Sequence, residues 1–269
     1  MTYSADAIRA AHVRGDGALV GYLPVGYPTV AKSIQAAEVL FANGVDVLEF
    51  GFPYSDPSMD GPVIQQATTV ALERGTHLED LIEAVGTLAA QGHSVLSMTY
   101  WNPVYWFGVD KFAQAFAEAG GAGLITPDLP PEEAEEWLRA SDKYDLERIF
   151  LVAPSSTDER VKMIAEACRG WTYATSTMGV TGQRADIDTA AKTTVARTRQ
   201  AGAELVNVGL GVSNGAQAHE VTTYADGAIV GSALLKYLFD EDFDRGLETM
   251  AALARELGDG VKGTWKTAK

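Results

Sequence analysis

The sequence has few of the residues on which several common protein chemistries depend. It contains one cysteine, Cys168, so no disulfide can form within the chain. Cys168 falls near the end of a predicted helix (158–168), where we expect it to pack as a small hydrophobic side chain. Neither a Gly-x-Ser-x-Gly elbow nor a Walker phosphate loop occurs, and the histidines show no metal-ligand spacing. We interpret all four histidines as surface or capping residues: His12, His77, His93 and His219.

Long apolar runs and basic residues are also scarce. No apolar run reaches the roughly 18 residues needed to cross a membrane, and residues 1–16 lack the apolar segment of a signal peptide. With the single cysteine, this predicts a cytoplasmic protein. The 36 acidic and 21 basic residues give a net charge of −15, which repels nucleic acid and anionic membranes. We expect neither as a partner, and an anionic ligand would need a local binding device.

Short apolar runs alternate with longer helical patterns along the whole chain. Eight runs have the length and β-branched content of buried parallel strands: 18–26, 45–52, 94–101, 123–129, 147–154, 170–176, 204–211 and 227–232. The segment between the second and third runs has room for two helices. Such alternation indicates a closed barrel or a doubly wound open sheet. Eight strands with no second domain left over favour a single (β/α)₈ TIM barrel over residues 1–269, with an extra N-terminal helix.

The second strand carries a glutamate, Glu49, near its C-terminal end, where the active sites of such barrels lie. Side chains alternate along a strand, so Glu49 shares a face with Val47, and either face of a barrel strand is covered. A buried carboxyl without a cationic partner has a raised pKa and suits a general acid. The alternative is a structural carboxylate that caps a neighbouring backbone segment.

The loop after this strand contains Asp56 and Asp60 among three prolines and Gly61. Prolines stiffen the loop and the glycine allows a bend, so one carboxylate can reach back over the barrel mouth. Loop aspartates are otherwise turn formers, and that interpretation stays open from spacing alone.

The last two strands end in glycines, which predicts a phosphate site. Gly209, Leu210 and Gly211 end the seventh strand, and Gly231 and Ser232 end the eighth. Barrels often bind phosphate there, because glycines let backbone N–H groups approach an anion. Tight turns are the alternative explanation. After the sixth strand, Gly179 and Gly182 indicate either a mobile lid or an ordinary loop.

Taken together, these segments resemble the α subunit family of tryptophan synthase, from about residue 15 to 235. LEFGFPYSDPSMDGPVIQ (48–65) is similar to the highly specific signature around that family's two catalytic carboxylates. MGVTG (178–182) resembles its lid, and GLGVS (209–213) with IVGSA (229–233) resembles its phosphate loops. The resemblance implies a carbon–carbon lyase that splits indole-3-glycerol phosphate into indole and glyceraldehyde-3-phosphate, in tryptophan biosynthesis, without metal or organic cofactor.

The resemblance also implies roles for particular residues. Glu49 protonates indole C3, and removal of the glycerol hydroxyl proton afterwards is a possible second role of the same residue. Asp60 accepts a hydrogen bond from the indole N–H. Apolar and aromatic positions around the indole are Tyr22, Met98, Ile125 and Tyr173, with Leu210 in the wall between indole and phosphate. Gly182, Gly211, Gly231 and Ser232 match phosphate contacts, and Thr181 matches the lid threonine that meets the catalytic aspartate.

Several positions depart from better-known members of the family. Thr177 and Met178 replace Arg and Ser in the lid, Leu210 replaces a common phenylalanine, and Tyr27 stands where Asp is frequent. The run 100–103 is also unusual, although similar features occur in actinobacterial members.

The partner expected from the resemblance is a tryptophan synthase β subunit in an α2β2 complex, bound through loop 53–62 and the segment around Asn102, Pro103 and Val104. The alternatives are a stand-alone lyase that releases free indole and a non-catalytic barrel that activates a β subunit. Intact Glu49 and Asp60 speak against the last.

Overall fold

The computed structural model describes residues 2–175, 184–209 and 211–265, without the side chains of 184–188. Its strands are β1 Ala18–Pro24, β2 Val47–Gly51, β3 Ser94–Met98, β4 Gly123–Ile125, β5 Glu147–Ile149, β6 Leu151–Val152, β7 Thr172–Thr175, β8 Val206–Gly209 and β9 Gly227–Val230. They form one sheet in the order β5-β4-β3-β2-β1-β9-β8-β7-β6, and all these pairs are parallel.

The two edges of this sheet are consecutive pieces of one strand, so the sheet closes into a barrel. β5 pairs with β4 and β6 pairs with β7, with Phe150 between them. The strand divides there because the segment before β7 approaches it: Arg148 and Arg169 exchange backbone hydrogen bonds, and the Phe150 N–H donates to Cys168 Sγ at 3.4 Å. The predicted eight-stranded TIM barrel is confirmed, with its fifth strand in two pieces.

Helices follow most of the strands and cover the barrel. They are α1 Ser4–Val13, α2 Val30–Ala42, α3 Pro62–Glu73, α4 Leu78–Ala89, α5 Trp101–Phe107, α6 Val109–Glu118, α7 Glu135–Lys143, α8 Asp158–Ala167, α9 Arg184–Gln200, α10 Gly215–Thr222, α11 Ser232–Leu235 and α12 Phe243–Val261, with 3₁₀ turns at Pro131–Glu133 and Lys236–Phe239. Side-chain caps fix the N-terminal ends of several helices. At the start of α2, for example, the Thr29 side chain accepts the Lys32 N–H. The extra N-terminal helix and the two helices between β2 and β3 are confirmed. Within the described ranges, no helix combines the length and apolar character needed to cross a bilayer.

Alternation along each strand separates two apolar layers. Leu48 and Phe50 point outward and join the large cluster between strands and helices. Val47 points inward, into a smaller cluster with Val20 and residues of α1. Glu49 lies two residues beyond Val47 on the same face, so it faces the barrel interior. The sequence left open to which side of the strand Glu49 points, and the structure shows that it points inward.

Helix α1 closes the N-terminal end of the barrel, and Glu147 holds it there. The buried Glu147 carboxylate accepts the backbone N–H groups of Ser4 and Ala5, both at 3.0 Å, and the Ser4 hydroxyl. Trp171 Nε1 donates to Ser4 Oγ at 2.8 Å, and Ile8 is fully buried in the inner cluster. The C-terminal end is therefore the open side of the barrel.

One histidine at this closed end differs from expectation. His12, interpreted as a surface or capping residue, has a side chain only 10% exposed. Its ring stacks on Trp265 with 3.5 Å between centroids, and its Nε2 lies 3.2 Å from the backbone carbonyl of Asp226. The surface interpretation of His12 is wrong, because the segment after α12 folds back over it.

We predict that Glu147→Ala lowers the free energy of unfolding by about 2–3 kcal/mol, because three buried donors lose their acceptor. Urea denaturation followed by circular dichroism measures this difference. The matched control is Glu204→Ala, which removes a 70% exposed carboxylate paired with Arg9 of the same helix and should cost less than about 1 kcal/mol. Equal stabilities of the two variants would contradict the proposed anchoring of α1.

Candidate active site

A cavity of about 530 Å³ opens at the C-terminal ends of the strands. Most of the predicted site residues line it: Tyr22, Glu49, Asp60, Met98, Tyr173, Gly211, Gly231 and Ser232. Ile125 is fully buried in the inner cluster and is not among the lining residues. Three predicted positions, Thr181, Gly182 and Leu210, lie outside the described residues, as do the altered lid positions Thr177 and Met178. The cavity therefore unites residues from strands that are far apart in sequence.

Glu49 is a buried carboxyl without a counter-charge. Its side chain is 1% exposed, and Oε1 has no hydrogen-bond partner among the described residues. Burial raises the pKa of Glu49 to about 8, so the carboxyl holds its proton at neutral pH. A capping role would need the carboxyl to accept a backbone N–H group, and no hydrogen bond joins Glu49 to another described residue. The geometry instead leaves a protonated acid on the wall of the cavity.

Asp60 is a less deeply buried carboxyl in the loop between β2 and α3. Burial raises its pKa to about 6, and a hydrogen bond from the Tyr100 hydroxyl opposes that rise. Asp60 is therefore mostly ionised at neutral pH while Glu49 is not. Asp56, the other loop aspartate, is exposed and accepts a hydrogen bond from Ser55 at 2.6 Å, as a local turn residue does.

Tyr100, which lies outside the signature, holds the loop that carries Asp60 together with two side chains of the signature. The Met59 N–H donates to the Tyr100 hydroxyl at 2.9 Å, and Tyr54 stacks on Tyr100 with 5.0 Å between ring centroids. From α3, Gln65 Nε2 donates to the Asp60 carbonyl at 2.8 Å. The sequence reasoning missed Tyr100; its place just after the third strand, at the catalytic end, was the available signal.

Two tyrosines and the glycines beside them shape the inner wall. A Cβ at Gly51 would overlap the Tyr22 hydroxyl, and one at Gly209 would overlap the Tyr173 hydroxyl. A Cβ at Gly231 would lie 3.2 Å from Tyr22 Cδ1, so this glycine also makes room for an aromatic ring. Burial first, and then the nearby Asp60 and Glu49, raise the pKa of both tyrosines well above its usual range. Both hydroxyls therefore stay protonated.

The glycine-rich end of the cavity has backbone free to approach a ligand. Gly211 has φ +64°, a left-handed conformation that favours glycine, and a Cβ there would meet no atom within 4 Å. Next to it, the Ser213 N–H donates to Gln217 Oε1 at 2.8 Å, and Asn214 caps α10. Helix α11 begins at Ser232, and the N–H groups of its first residues have no acceptor within the helix.

The structure adds cavity residues that the sequence reasoning did not identify: Met59, Gly61, Val63, Ile64, Leu151, Thr175, Val212, Ser213, Ile229, Ala233 and Lys236. Leu151 and Ile229 could have been found by extending the inward alternation of their strands. Lys236 lies four residues after Ser232, which is one helical turn and a recognisable spacing.

A parallel barrel with two carboxyls of raised pKa in the cavity at its C-terminal end defines a TIM-barrel enzyme. Residues 8–262 match the family model described as tryptophan synthase alpha chain. The chain belongs to the tryptophan synthase alpha chain family.

Curated relatives and solved structures agree with this assignment. The tryptophan synthase alpha chain of Leifsonia xyli is 52% identical, covering 97% of this chain and 99% of the relative, and that of Thermobifida fusca is 50% identical, covering 97% and 98%. A structure of Mycobacterium tuberculosis tryptophan synthase superposes with a TM-score of 0.90 at 48% identity, covering 97% of this chain and 98% of that one. Tryptophan synthase subunit alpha from Legionella pneumophila gives 0.87 at 29% identity, covering 97% and 99%. The similarity therefore includes the whole barrel.

The raised pKa of Glu49 predicts a pH-dependent effect on stability. The carboxyl is protonated in both states below its unfolded value of 4.5, whereas between 4.5 and about 8 only the unfolded chain ionises. Stability contributed by the protonated form is therefore lost as pH rises through this window. We expect Glu49→Gln, which cannot ionise, to gain stability relative to the parent by up to about 1.4 kcal/mol per pH unit.

Urea denaturation across this window measures the difference, and Glu166→Gln, at a side chain 64% exposed on α8, is the matched control. The stability difference should level off above about pH 8. A difference that stays constant from acid to alkaline pH would mean that Glu49 ionises normally in the folded protein.

Proposed function

We propose that this chain cleaves indole-3-glycerol phosphate into indole and glyceraldehyde-3-phosphate, with Glu49 as acid and Asp60 as the partner of the indole N–H. The observation that carries this assignment is the presence in one cavity of two carboxyls with pKa values of about 8 and about 6. Two carboxyls in different environments divide acid and base roles at neutral pH. The chain is thus a carbon–carbon lyase of tryptophan biosynthesis.

The first step transfers the Glu49 proton to C3 of the indole ring. The protonated ring is cationic and accepts electrons, which weakens the bond from C3 to the glycerol chain. The neighbouring hydroxyl then loses its proton, its O–H electrons form the aldehyde C=O, and the electrons of the broken carbon–carbon bond return to the ring. Glu49, ionised by the first transfer, accepts this proton and ends the cycle protonated. The chemistry requires neither metal nor organic cofactor.

Asp60 acts at the nitrogen of the indole ring. Its carboxylate accepts a hydrogen bond from the indole N–H and stabilises the positive charge that develops there. Tyr100 orders the Asp60 loop through its contact with the Met59 N–H, so the carboxylate is in place before substrate binds. Tyr22 and Tyr173 provide aromatic surface for the indole, and both hydroxyls remain donors.

The phosphate of the substrate binds at the glycine-rich end of the cavity. Gly211, Gly231 and Ser232 all line it there, and the open space beside Gly211 allows an anion to approach the backbone. Backbone N–H groups and the Ser232 hydroxyl can hold a phosphate despite the net charge of −15. The same cavity therefore accommodates both ends of the substrate.

We further propose that a tryptophan synthase β subunit binds the rim of the barrel, in a cytoplasmic complex. Trp106 is 79% exposed and Tyr105 57% exposed on α5, beside the loop where Met59 is 44% exposed. Large exposed aromatic side chains mark contact surfaces. The rim also surrounds the cavity, so a partner there could receive indole directly. A stand-alone lyase that releases free indole is the competing function.

We expect Glu49→Gln and Asp60→Asn each to lower indole release by about 10²–10⁴-fold while the barrel stays folded, because general acid–base groups contribute rate factors of this size. Indole release by the purified chain, with circular dichroism as the folding check, measures the effect. Asp56→Asn is the matched control, since it makes the same charge change at an exposed position of the same loop. Near-parental turnover of either variant would remove that residue from the mechanism.

Titration with the β subunit of the same organism should raise indole release by about tenfold or more, because binding at the rim favours the ordered, closed site. Trp106→Ser should weaken the complex about tenfold or more, since buried aromatic anchors dominate interfaces. Val13→Ser, at a residue 89% exposed on α1 at the closed end, is the control. No activation and no complex on gel filtration would support the stand-alone lyase.

A further inference from the structure

Lys236 is a cation at the edge of the cavity that the acid–base mechanism does not use. It follows α11 directly, one helical turn after Ser232, and both residues line the cavity with Gly231 and Gly211. Among the described lining residues it is the one Lys, Arg or His side chain. The positive charge thus belongs to the same cavity as the glycine-rich strand ends.

Of the three carboxylates that follow Lys236 most closely along the chain, two are engaged elsewhere, and the third, Glu241, forms no ion pair with Lys236 in the described part of the chain. Asp240 forms an ion pair with Arg245, and the Asp242 carboxylate accepts the Asp244 and Arg245 N–H groups at the start of α12. The Lys236 side chain is exposed, and its Nζ lies 4.8 Å from the centroid of the neighbouring Tyr237 ring. In the described part of the chain, no ion pair within 4.0 Å involves Lys236. Its ammonium group is therefore available to an anion.

The net charge of the whole protein makes the ammonium group of Lys236 important for the binding of an anion. A net charge of −15 opposes the approach of an anionic substrate. Backbone N–H groups offer only partial charges, whereas an ammonium group offers a full positive charge within the cavity. A long, flexible side chain at the rim can also meet a phosphate that enters from solvent.

We propose that Lys236 binds the phosphate of the substrate, together with the backbone around Gly211, Gly231 and Ser232. This assignment rests on the proposed function for the identity of the substrate, but the anion site itself does not. Lys236 acts on binding and leaves the proton transfers of Glu49 unchanged.

The test compares Lys236→Met with Lys236→Arg, which retains the charge, and with Lys162→Met. Lys162 lies on α8, 68% exposed and outside the cavity lining, so its loss makes the same change in net charge. We expect Lys236→Met to raise KM for indole-3-glycerol phosphate about tenfold with kcat nearly unchanged. Lys236→Arg and Lys162→Met should keep KM within about twofold of the parent. Added salt should raise the parental KM more than that of Lys236→Met.

Calorimetric titration with inorganic phosphate separates this proposal from the proposed function. Weaker phosphate binding by Lys236→Met than by Lys162→Met supports the anion site even if the parent releases no indole. The proposal is overturned if both methionine variants change alike, since net charge alone would then explain the effect. It is also overturned if Lys236→Met keeps the parental KM and phosphate affinity, or if the parent binds no phosphate.

Discussion

The Glu49 carboxyl is held inside a closed parallel barrel, and this burial raises its pKa. The rest of the site depends on that constraint. Ionisation there would leave a buried charge with no counter-ion among the described residues, so the folded protein favours the protonated form. The barrel maintains this environment because its sheet closes through the strand divided at Phe150 and because α1 covers one end. The remaining opening is the cavity, and the Glu49 carboxyl lines it.

The second carboxyl of the cavity, Asp60, differs from the first in its surroundings. Asp60 lies on a loop rather than a strand, with a tyrosine hydroxyl to stabilise its charge, so its pKa is about 6 instead of about 8. Glycines beside Tyr22 and Tyr173 let these rings pack against the neighbouring strands. The cavity thus offers a proton, a negative charge, aromatic surface and a cationic rim, each from a different segment of the chain.

Local patterns along the chain were sufficient to predict the barrel and most of its catalytic end. Strand runs and helical periods are short-range properties, and eight alternating units with no second domain left over restrict the topology. Glu49, Asp60, Gly211 and Ser232 could be selected because barrel sites lie at strand ends and because the segment around Glu49 resembles a specific signature. Lys236 was within reach of the same reasoning, since its spacing from Ser232 is local.

Long-range packing decided the side-chain directions and contacts that residue spacing in the sequence could not predict. The sequence alone left the direction of Glu49 open, predicted a surface or capping position for His12, and predicted a phosphate contact or a tight turn for Gly231. The structure turns Glu49 inward, covers His12 with Trp265 and uses Gly231 to seat Tyr22 as well. The pKa difference between Glu49 and Asp60 likewise depends on how much water and which neighbours surround each carboxyl. Such surroundings are made by residues distant in sequence, so they exist only after the barrel has closed.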